Sequence, residues 1–212
     1  LGYAHYVEHL AFRGLRGFPR DGMKQDLARL GVAFGAHVNA STSPFETDFF
    51  LHNLPSDDPE ALTTGLAVMR GFADGVVFEP ETVEIERGVI YSEQRSRTGM
   101  LAQARPDEME YLPPQAEPMR WSDLETVFPG TRLLARYPIG SERTLRAATA
   151  EKLRAFYDRW YRPERMILAV AGDVSPAEVE QRVRDTFATF AGRGRAPAEI
   201  ALEAPKPVAG PS

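Results

Sequence analysis

Two histidines and a glutamate near the start of the chain have the spacing of a metal site. The sequence reads His5-Tyr6-Val7-Glu8-His9. On a helix each residue turns by about 100°, so His5 and His9 lie one turn apart on one face. Two neutral imidazoles at that spacing can bind one zinc ion, and Glu8 lies beside any water bound to it. The pattern predicts a zinc-binding helix with Glu8 as a general base.

The rest of this helix suits that role. Tyr6, Val7, Leu10 and Ala11 share the opposite face, so the helix can bury one side and turn its His and Glu side chains toward a cleft. The order His-x-x-Glu-His reverses the His-Glu-x-x-His zinc helix and is known as the inverzincin motif. The alternative is an ordinary amphipathic helix with surface histidines. The chain has only four His, so the complete pattern favours the metal site.

A third ligand has to come from elsewhere, because a catalytic zinc takes three protein ligands and keeps the fourth position for water. The best source is the charged segment from Glu79 to Arg95, in which Pro80 suits the first position of a helix. Glu86 and Glu93 would lie two turns apart and close to one line. One can bind the metal while the other orients a ligand. The alternative for this segment alone is a solvated, charged helix.

Together these two segments resemble the pitrilysin/insulinase family of zinc metallopeptidases. In that family the third ligand is the second Glu of a Glu-x6-Glu pattern, which Glu86 and Glu93 match. Several ordered motifs are more specific than one, and the resemblance covers nearly the whole chain. The further matching segments are Leu10-Ala11-Phe12-Arg13-Gly14, Val38-Asn39-Ala40-Ser41-Thr42-Ser43, Glu46-Thr47, Tyr137-Pro138-Ile139-Gly140, Phe156-Tyr157-Asp158-Arg159-Trp160-Tyr161-Arg162-Pro163 and Val170-Ala171-Gly172-Asp173.

The resemblance implies the roles of the metal-site residues. It implies one Zn²⁺ per chain held by His5, His9 and Glu93, with Glu86 orienting a ligand from behind. Glu8 would take a proton from water and pass it to the leaving amine. The implied activity is that of a metalloprotease: zinc-dependent hydrolysis of peptide bonds within extended peptides or small unfolded proteins.

The resemblance also implies how substrate binds. The segment Asn39-Ala40-Ser41 would hold a peptide in extended form by adding it as a strand to a sheet edge. The alternative for Asn39 is a turn-forming residue of a hairpin. The family completes its site with an Arg and a Tyr from a second half, whereas Arg162 and Tyr161 match a helix-to-strand junction of the first half. We therefore expect these residues to carry the metal chemistry without the complete transition-state clamp.

Composition limits the other function classes. At 212 residues and 43% hydrophobic content, the chain can bury a sizeable core. A formal net charge of −5 offers no basic surface for nucleic acid, and no apolar run approaches the length of a membrane span. The absence of cysteine excludes disulfides, Cys-ligated zinc and a Cys nucleophile.

The chain is predicted to be part of a longer protein. It begins on the zinc helix, without the strands that the resemblance implies before it. We expect residues 1–191 to form the zinc-binding catalytic domain and residues 192–212, rich in Pro, Ala and Gly, to be a linker. The expected partners are a peptide substrate and a second similar domain, in the same chain or in a partner subunit.

The remaining patterns mix strands and helices without strict alternation, which predicts an α+β fold: a largely antiparallel sheet with helices packed on one face. Residues 98–135 contain many prolines and little periodicity, which is typical of a loop or lid. The predicted elements are helices at 21–30, from Asp58-Pro59 to Ala73 and from the cap Thr149 to Trp160, a hairpin of 33–42 and 47–54, a buried strand at Met166 to Ala171, and a capping box at Ser175-Pro176-Ala177-Glu178 that opens a last helix.

The sequence is compatible with two functions. One is the zinc endopeptidase. The other is a non-catalytic or half-site subunit of the same fold that serves as a scaffold or binding module for a catalytic partner. The intact metal and base residues favour the enzyme, and the zinc content of the protein would distinguish the two. Leu51-His52-Asn53-Leu54-Pro55 and the long insertion before Tyr137 resemble large periplasmic proteases of Gram-negative bacteria, so we expect a periplasmic location, with the cytoplasm as the alternative.

Overall fold

The computed structural model describes residues 2–18, 22–103 and 138–198. Within these ranges the fold is α+β, as predicted, with helices around a small antiparallel sheet. The helices are α1 (Tyr3–Ala11), α2 (Gly22–Arg29), α3 (Pro59–Asp74), α4 (Pro80–Gln103), α5 (Glu142–Arg146), α6 (Ala150–Trp160) and α7 (Pro176–Phe187), and the strands are β1 (Val38–Thr42) and β2 (Thr47–Leu51).

Helix α1 lies at the centre of the core. Its apolar face is fully buried, as predicted, and α1 contacts α4, α6 and β1. The buried Tyr6 hydroxyl donates to the carbonyl of Val83 in α4 at 2.5 Å. On the far side of the core, the hydroxyl of Tyr157 in α6 donates to the carbonyl of Phe72 in α3 at 2.8 Å. These two phenols join α1 to α4 and α6 to α3, and each has its own buried hydroxyl paired.

Two glycines fix where α1 begins. Gly2 and Gly140 both have positive φ, 79° and 77°, a conformation that favours glycine because it has no Cβ. Their backbones pack directly together, so that a Cβ added to Gly2 would lie 2.8 Å from the Cα of Gly140. This contact joins the start of α1 to the loop before α5.

The hairpin is confirmed, with shorter strands than the sequence predicts. β1 and β2 pair antiparallel in the register Val38↔Leu51 to Thr42↔Thr47. In the turn, the Ser43 hydroxyl accepts from the amides of Phe45 and Glu46 at 3.2 and 3.1 Å. A side chain that bonds its own turn stabilises the reversal and sets the register of the strands.

Of the three helix starts that the sequence predicts at Asp58, Thr149 and Ser175, two have a side-chain cap bond. The side chains of Asp58 and Thr149 accept from backbone amides at the starts of α3 and α6, as predicted. The capping box at Ser175 is wrong, since Ser175 makes no side-chain cap bond although α7 begins there. The Glu178 carboxylate instead accepts from Arg182 one turn later, at 3.0 Å, so the reciprocal pair does not form.

The loop predicted at 98–135 is wrong for its first residues. Helix α4 continues to Gln103, so the first residues of that range are helical. Residues 104–137, which include the rest of it, lie outside the described residues.

The buried strand predicted from Met166 to Ala171 is wrong. These residues are neither helix nor strand, and the Ile167 side chain is 97% exposed. An apolar segment becomes a buried strand only where another strand pairs with it and a second layer covers it. Among the described residues the only strand ladder is that of β1 with β2, and this segment does not join it.

Candidate metal centre

Helix α1 presents its two histidines side by side. With Tyr6, Val7 and Leu10 in the core, the opposite face carries His5 and His9. The centroids of their rings are 4.6 Å apart and the ring planes cross at 79°. His5 is buried and His9 is half-buried, so both rings are shielded while they face the same space.

Helix α4 brings a carboxylate to that space. Glu93 Oε2 lies 3.5 Å from His5 Nε2 and 3.4 Å from His9 Nε2. Among the described residues, these three side chains form a group able to hold a metal ion, with one ligand atom of each within 4.8 Å of the others. The packing of α1 against α4 thus brings together residues that are far apart in the sequence.

The geometry fits zinc. Ligand atoms bound at about 2.0–2.1 Å in a tetrahedron lie roughly 3.3 Å from one another. The two separations from Glu93 to the imidazole nitrogens are close to that value. Two imidazoles and one carboxylate are also a donor set that catalytic zinc uses, with the fourth position left to water.

Glu86 lies on the other side of the His9 ring, and in α4 it precedes Glu93 by two helical turns. Its carboxylate is nearly fully buried, and Oε2 lies 3.0 Å from His9 Nδ1. A hydrogen bond there places the proton on Nδ1 and leaves Nε2 to bind a metal. The other oxygen, Oε1, forms an ion pair with Arg13 Nε at 2.5 Å. Burial alone would raise the pKa of Glu86, but the contacts with His9 and Arg13 hold it below its usual range.

Arg13 was missed by the sequence analysis as part of the site. It follows the end of α1, where helical periodicity no longer predicts which way a side chain points. The sequence feature that could have indicated it is its spacing, since a residue four positions after His9 can reach the Glu86 carboxylate that His9 contacts. Its charge stabilises a buried carboxylate that otherwise would be costly to ionise.

His9 has a strongly perturbed titration in the metal-free protein. Burial lowers its pKa, yet the hydrogen bonds and charges of Glu86 and Glu93 outweigh burial and raise it to about 9. A metal ion binding at Nε2 therefore has to displace a proton near neutral pH. Two carboxylates around one imidazole create a site that attracts a cation of either kind, H⁺ or metal.

Glu8 contacts the hairpin. The Thr42 hydroxyl, at the end of β1, donates to Glu8 Oε2 and lies 3.2 Å from the Thr47 hydroxyl of β2. The sequence placed Glu8 and the hairpin in one site but did not reveal this contact. Tyr161 is half-buried behind the hairpin, with its ring 6.4 Å from that of Phe49, and burial raises the pKa of its hydroxyl.

The structure places the predicted substrate residues on an open strand edge. Hydrogen-bonded and non-hydrogen-bonded pairs alternate along an antiparallel ladder. The hydrogen bonds from Ser43 N to Glu46 O and from His52 N to His37 O make Ala40 a member of a non-hydrogen-bonded pair, so its N–H and C=O point away from β2. No described strand pairs with that edge. Asn39 Oδ1 accepts from the Ala40 amide at 2.9 Å. The prediction that this edge binds a peptide is compatible with the geometry and stays a prediction.

Arg162 makes its hydrogen bonds outside the group of His5, His9 and Glu93. Its buried guanidinium pairs with Glu164 and donates to the carbonyl of Arg193 at 2.6 Å. It thus holds the segment after α7 against the segment after α6.

No described helix is both long and apolar enough to cross a membrane.

Comparison with known protein families gives two matches. The profile described as Insulinase (Peptidase family M16) matches residues 1–108. The profile described as Peptidase M16 inactive domain matches residues 147–211. The first match contains every residue of the metal centre, and the second contains α6, α7 and the segment between them.

Relatives of this chain are named zinc proteases. A probable zinc protease of Escherichia coli, PqqL, is 31% identical over 191 residues, which is 88% of this chain and 18% of the relative. A zinc protease of Streptomyces coelicolor is 30% identical over 88% of this chain and 36% of its own length. The chain thus spans about a fifth to two fifths of the relatives it matches.

Solved structures show the same fold. The first half of the periplasmic protease PqqL from Escherichia coli has a TM-score of 0.76 at 29% identity, covering 94% of this chain and 39% of that one. The ferredoxin protease FusC, solved with Arabidopsis ferredoxin, has a TM-score of 0.76 at 25% identity. The match covers 96% of this chain and 20% of that one. Pitrilysin, at 20% identity and a TM-score of 0.68, supports the fold alone.

Proposed function

The chain belongs to the insulinase family, peptidase family M16, and from this premise we propose that it carries the metal-binding half of a zinc endopeptidase. Its substrates would be extended peptides or small unfolded proteins. The observation that supports this best is the convergence of His5, His9 and Glu93, with their ligand atoms within 4.8 Å of one another. Because the chain covers 18% of its relative in Escherichia coli, the activity of the whole protein is part of the proposal.

In this proposal His5, His9 and Glu93 hold one zinc ion per chain. Zinc, when bound, acts as a Lewis acid that lowers the pKa of a coordinated water toward neutrality. Glu86 keeps the His9 ring in the tautomer that presents Nε2, and Arg13 keeps Glu86 ionised.

Glu8 transfers the proton. It lies on the histidine-bearing face of α1, within one turn of both rings. As general base it accepts a proton from the attacking water, whose oxygen bonds to the peptide carbonyl carbon. As the C–N bond breaks, Glu8 gives that proton to the leaving amine nitrogen. Water is thereby divided between the two products, and the carboxylate is restored.

The outer edge of β1 would position the substrate. An extended peptide can pair with the outward N–H and C=O of Ala40, since β-strand addition supplies affinity through main-chain bonds. Asn39 would then release the Ala40 amide that its side chain now occupies. Such pairing reads the backbone of a substrate more than its side chains, which suits a protease of unfolded segments.

A second candidate is a scaffold or half-site subunit that supports a catalytic partner. The match of residues 147–211 to a domain described as inactive favours it. That match excludes α1 and α4, so it describes a different part of the chain from the metal centre. One zinc bound per chain would favour the enzyme, and absence of zinc at saturating concentrations would favour the scaffold.

The expected surroundings also stay proposals. We propose that residues 1–191 form one domain, that 192–212 lead toward a second domain or a partner subunit, and that the protein is periplasmic, like the protease PqqL of Escherichia coli. Fractionation of cells that express the full-length protein would separate the periplasm from the cytoplasm.

The test of the activity is Glu8→Gln in the full-length protein. The amide keeps the shape of the side chain but cannot accept the proton, so hydrolysis of an internally quenched peptide should fall by at least about 100-fold. Zinc content, measured by metal analysis, should stay at one per chain. Equal hydrolysis by both proteins would remove Glu8 from the mechanism, and an inactive wild type with full zinc would favour the scaffold.

A further inference from the structure

We infer that Thr42 is a positioning residue for Glu8, and that it links the proposed substrate strand to the proposed general base. The inference rests on the proposed function, because it assigns a role within the same site. It concerns a hydroxyl on the hairpin rather than a metal ligand, and it predicts that the hairpin sets the orientation of the base.

The hydrogen bonds have a defined direction. Thr42 and Thr47 oppose each other as the last pair of the ladder, at a position where antiparallel side chains approach closely. A hydroxyl has one proton to donate, and Thr42 donates its proton to Glu8 Oε2. The 3.2 Å contact with Thr47 is therefore one in which Thr47 donates and Thr42 accepts. The two hydroxyls form an oriented chain that ends on Glu8.

This chain restrains the carboxylate. The last torsion of a glutamate is broad, so the carboxylate plane is poorly fixed by rotamer preference. A hydrogen bond to an ionised acceptor is short and strong, and the donor here belongs to a strand that is fixed by its register with β2. A general base has to lie within hydrogen-bond reach of the proton it takes, so loss of this restraint should slow the proton transfer.

The hairpin adds a coupling to substrate. Thr42 and Ala40 belong to the same alternate set of β1, whose backbone groups point to the open edge. A peptide that pairs along this edge would order the strand that carries Thr42. The base would then be best oriented when an extended substrate is in place, which predicts an effect on kcat more than on KM.

Three variants of the full-length protein test the inference. Thr42→Val keeps the branched shape and removes the hydroxyl, and we expect kcat to fall by roughly 10–100-fold while zinc affinity stays unchanged. Thr42→Ser keeps the hydroxyl and should restore most of kcat. Thr47→Val removes the donor behind Thr42 and should cost less than Thr42→Val. Thr63→Val, at an exposed threonine of α3, is the matched control and should leave kcat unchanged.

A double-mutant cycle separates positioning from general damage to the fold. If Thr42 acts through Glu8, Thr42→Val should have no further effect on the residual rate of Glu8→Gln. In the zinc-free protein, the loss of melting temperature in the double variant should also be smaller than the sum of the two single losses, because Glu8→Gln weakens the same contact that Thr42→Val removes.

The outcomes are distinguishable. Wild-type kcat in Thr42→Val, a Ser variant as slow as the Val variant, or fully additive losses with Glu8→Gln would each overturn the role of Thr42. None of these would affect the proposed function, which fails if the wild type lacks hydrolysis, if it binds no zinc, or if Glu8→Gln retains hydrolysis.

Discussion

The contact of α1 with α4 and the contact of α3 with α7 are built in opposite ways. The first is sealed by fully buried side chains, among them Tyr6 and Ile90, and encloses the buried carboxylate of Glu86. In the second, no residue of α7 is buried, and Arg70 of α3 makes the main polar contact, donating to the carbonyl of Thr186 at 2.7 Å.

The difference shows where the molecule can hold chemistry. A metal site needs ligands fixed to within a fraction of an ångström, which buried packing on two helices supplies. The α3–α7 contact, with exposed ion pairs along α7, belongs to the kind of element that opens locally at low cost. Substitutions at the first contact should therefore change zinc binding, and substitutions at the second should change only local stability.

The largest effect is expected for Glu93→Ala. It leaves only the two histidines as ligands, so zinc affinity should fall by more than the roughly 100-fold that loss of an outer partner costs. Zinc titration with a competing chelator measures this. The control is Glu81→Ala, which removes an exposed carboxylate from the first turn of the same helix and should leave zinc affinity unchanged. Unaltered zinc binding in Glu93→Ala would contradict the assignment of the third ligand.

Glu86→Ala should have the next largest effect. It frees the His9 ring and leaves Arg13 without its buried partner, so zinc affinity or activity should fall by about 10–100-fold. Glu86→Gln keeps an oxygen that can accept from His9 Nδ1 but loses the charge, and should lie between Ala and wild type. If Glu86→Ala binds zinc as well as wild type does, the orientation of His9 does not depend on Glu86.

Much of this centre could be predicted from sequence because its causes are local or chemical. Helical spacing relates His5 to His9 and Glu86 to Glu93, and zinc chemistry requires a third ligand. Arg13 escaped because it lies beyond the helix end, and the contact of Thr42 with Glu8 escaped because no periodicity relates a hairpin to a helix.

The distal part of the chain shows the limit of local patterns. The cap at Thr149 was correct because it depends on residues within one turn of it. The strand predicted at Met166 to Ala171 was wrong because burial of an apolar segment depends on partners that the segment itself does not encode.

The pH dependence of zinc binding should show a moderate effect. With a pKa of about 9, His9 is protonated in the metal-free protein at pH 7, and zinc has to displace that proton. Apparent affinity should therefore rise about tenfold between pH 7 and pH 8. Without zinc the sign reverses: protonated His9 stabilises the fold fully below its ordinary pKa of 6.5, and this contribution is lost as pH rises through about 9.

Calorimetry tests the proton release directly. Zinc is titrated at about pH 7.5 in buffers with different ionisation enthalpies. About one proton should be released for each zinc ion bound, and this proton comes from His9. Glu86→Gln should reduce this release, because the carboxylate that raises the pKa of His9 is gone. Zinc affinity that is constant from pH 7 to pH 8 would contradict the raised pKa.

The smallest effect on the site is expected from Arg70→Ala, at the contact between α3 and α7. The guanidinium bonds Asp74 at 2.7 Å and lies 5.3 Å from the centre of the Phe190 ring. Its loss should weaken the docking of α7 by about 1–3 kcal/mol. Hydrogen exchange of the α7 amides should then be faster by roughly tenfold or more, because 1.4 kcal/mol corresponds to a tenfold change in the opening equilibrium.

Zinc affinity should stay at the wild-type value in Arg70→Ala, since the main contact of α7 is with α3 and not with α1 or α4, which carry the proposed ligands. Arg184→Ala is the control: its pair with Glu180 is exposed, so the α7 amides should change by about twofold at most. Weaker zinc binding in Arg70→Ala would mean that the loosely packed contact supports the metal centre. The contrast between the two helix contacts would then have to be abandoned, because order at the site would depend on α7 as well as on the buried core.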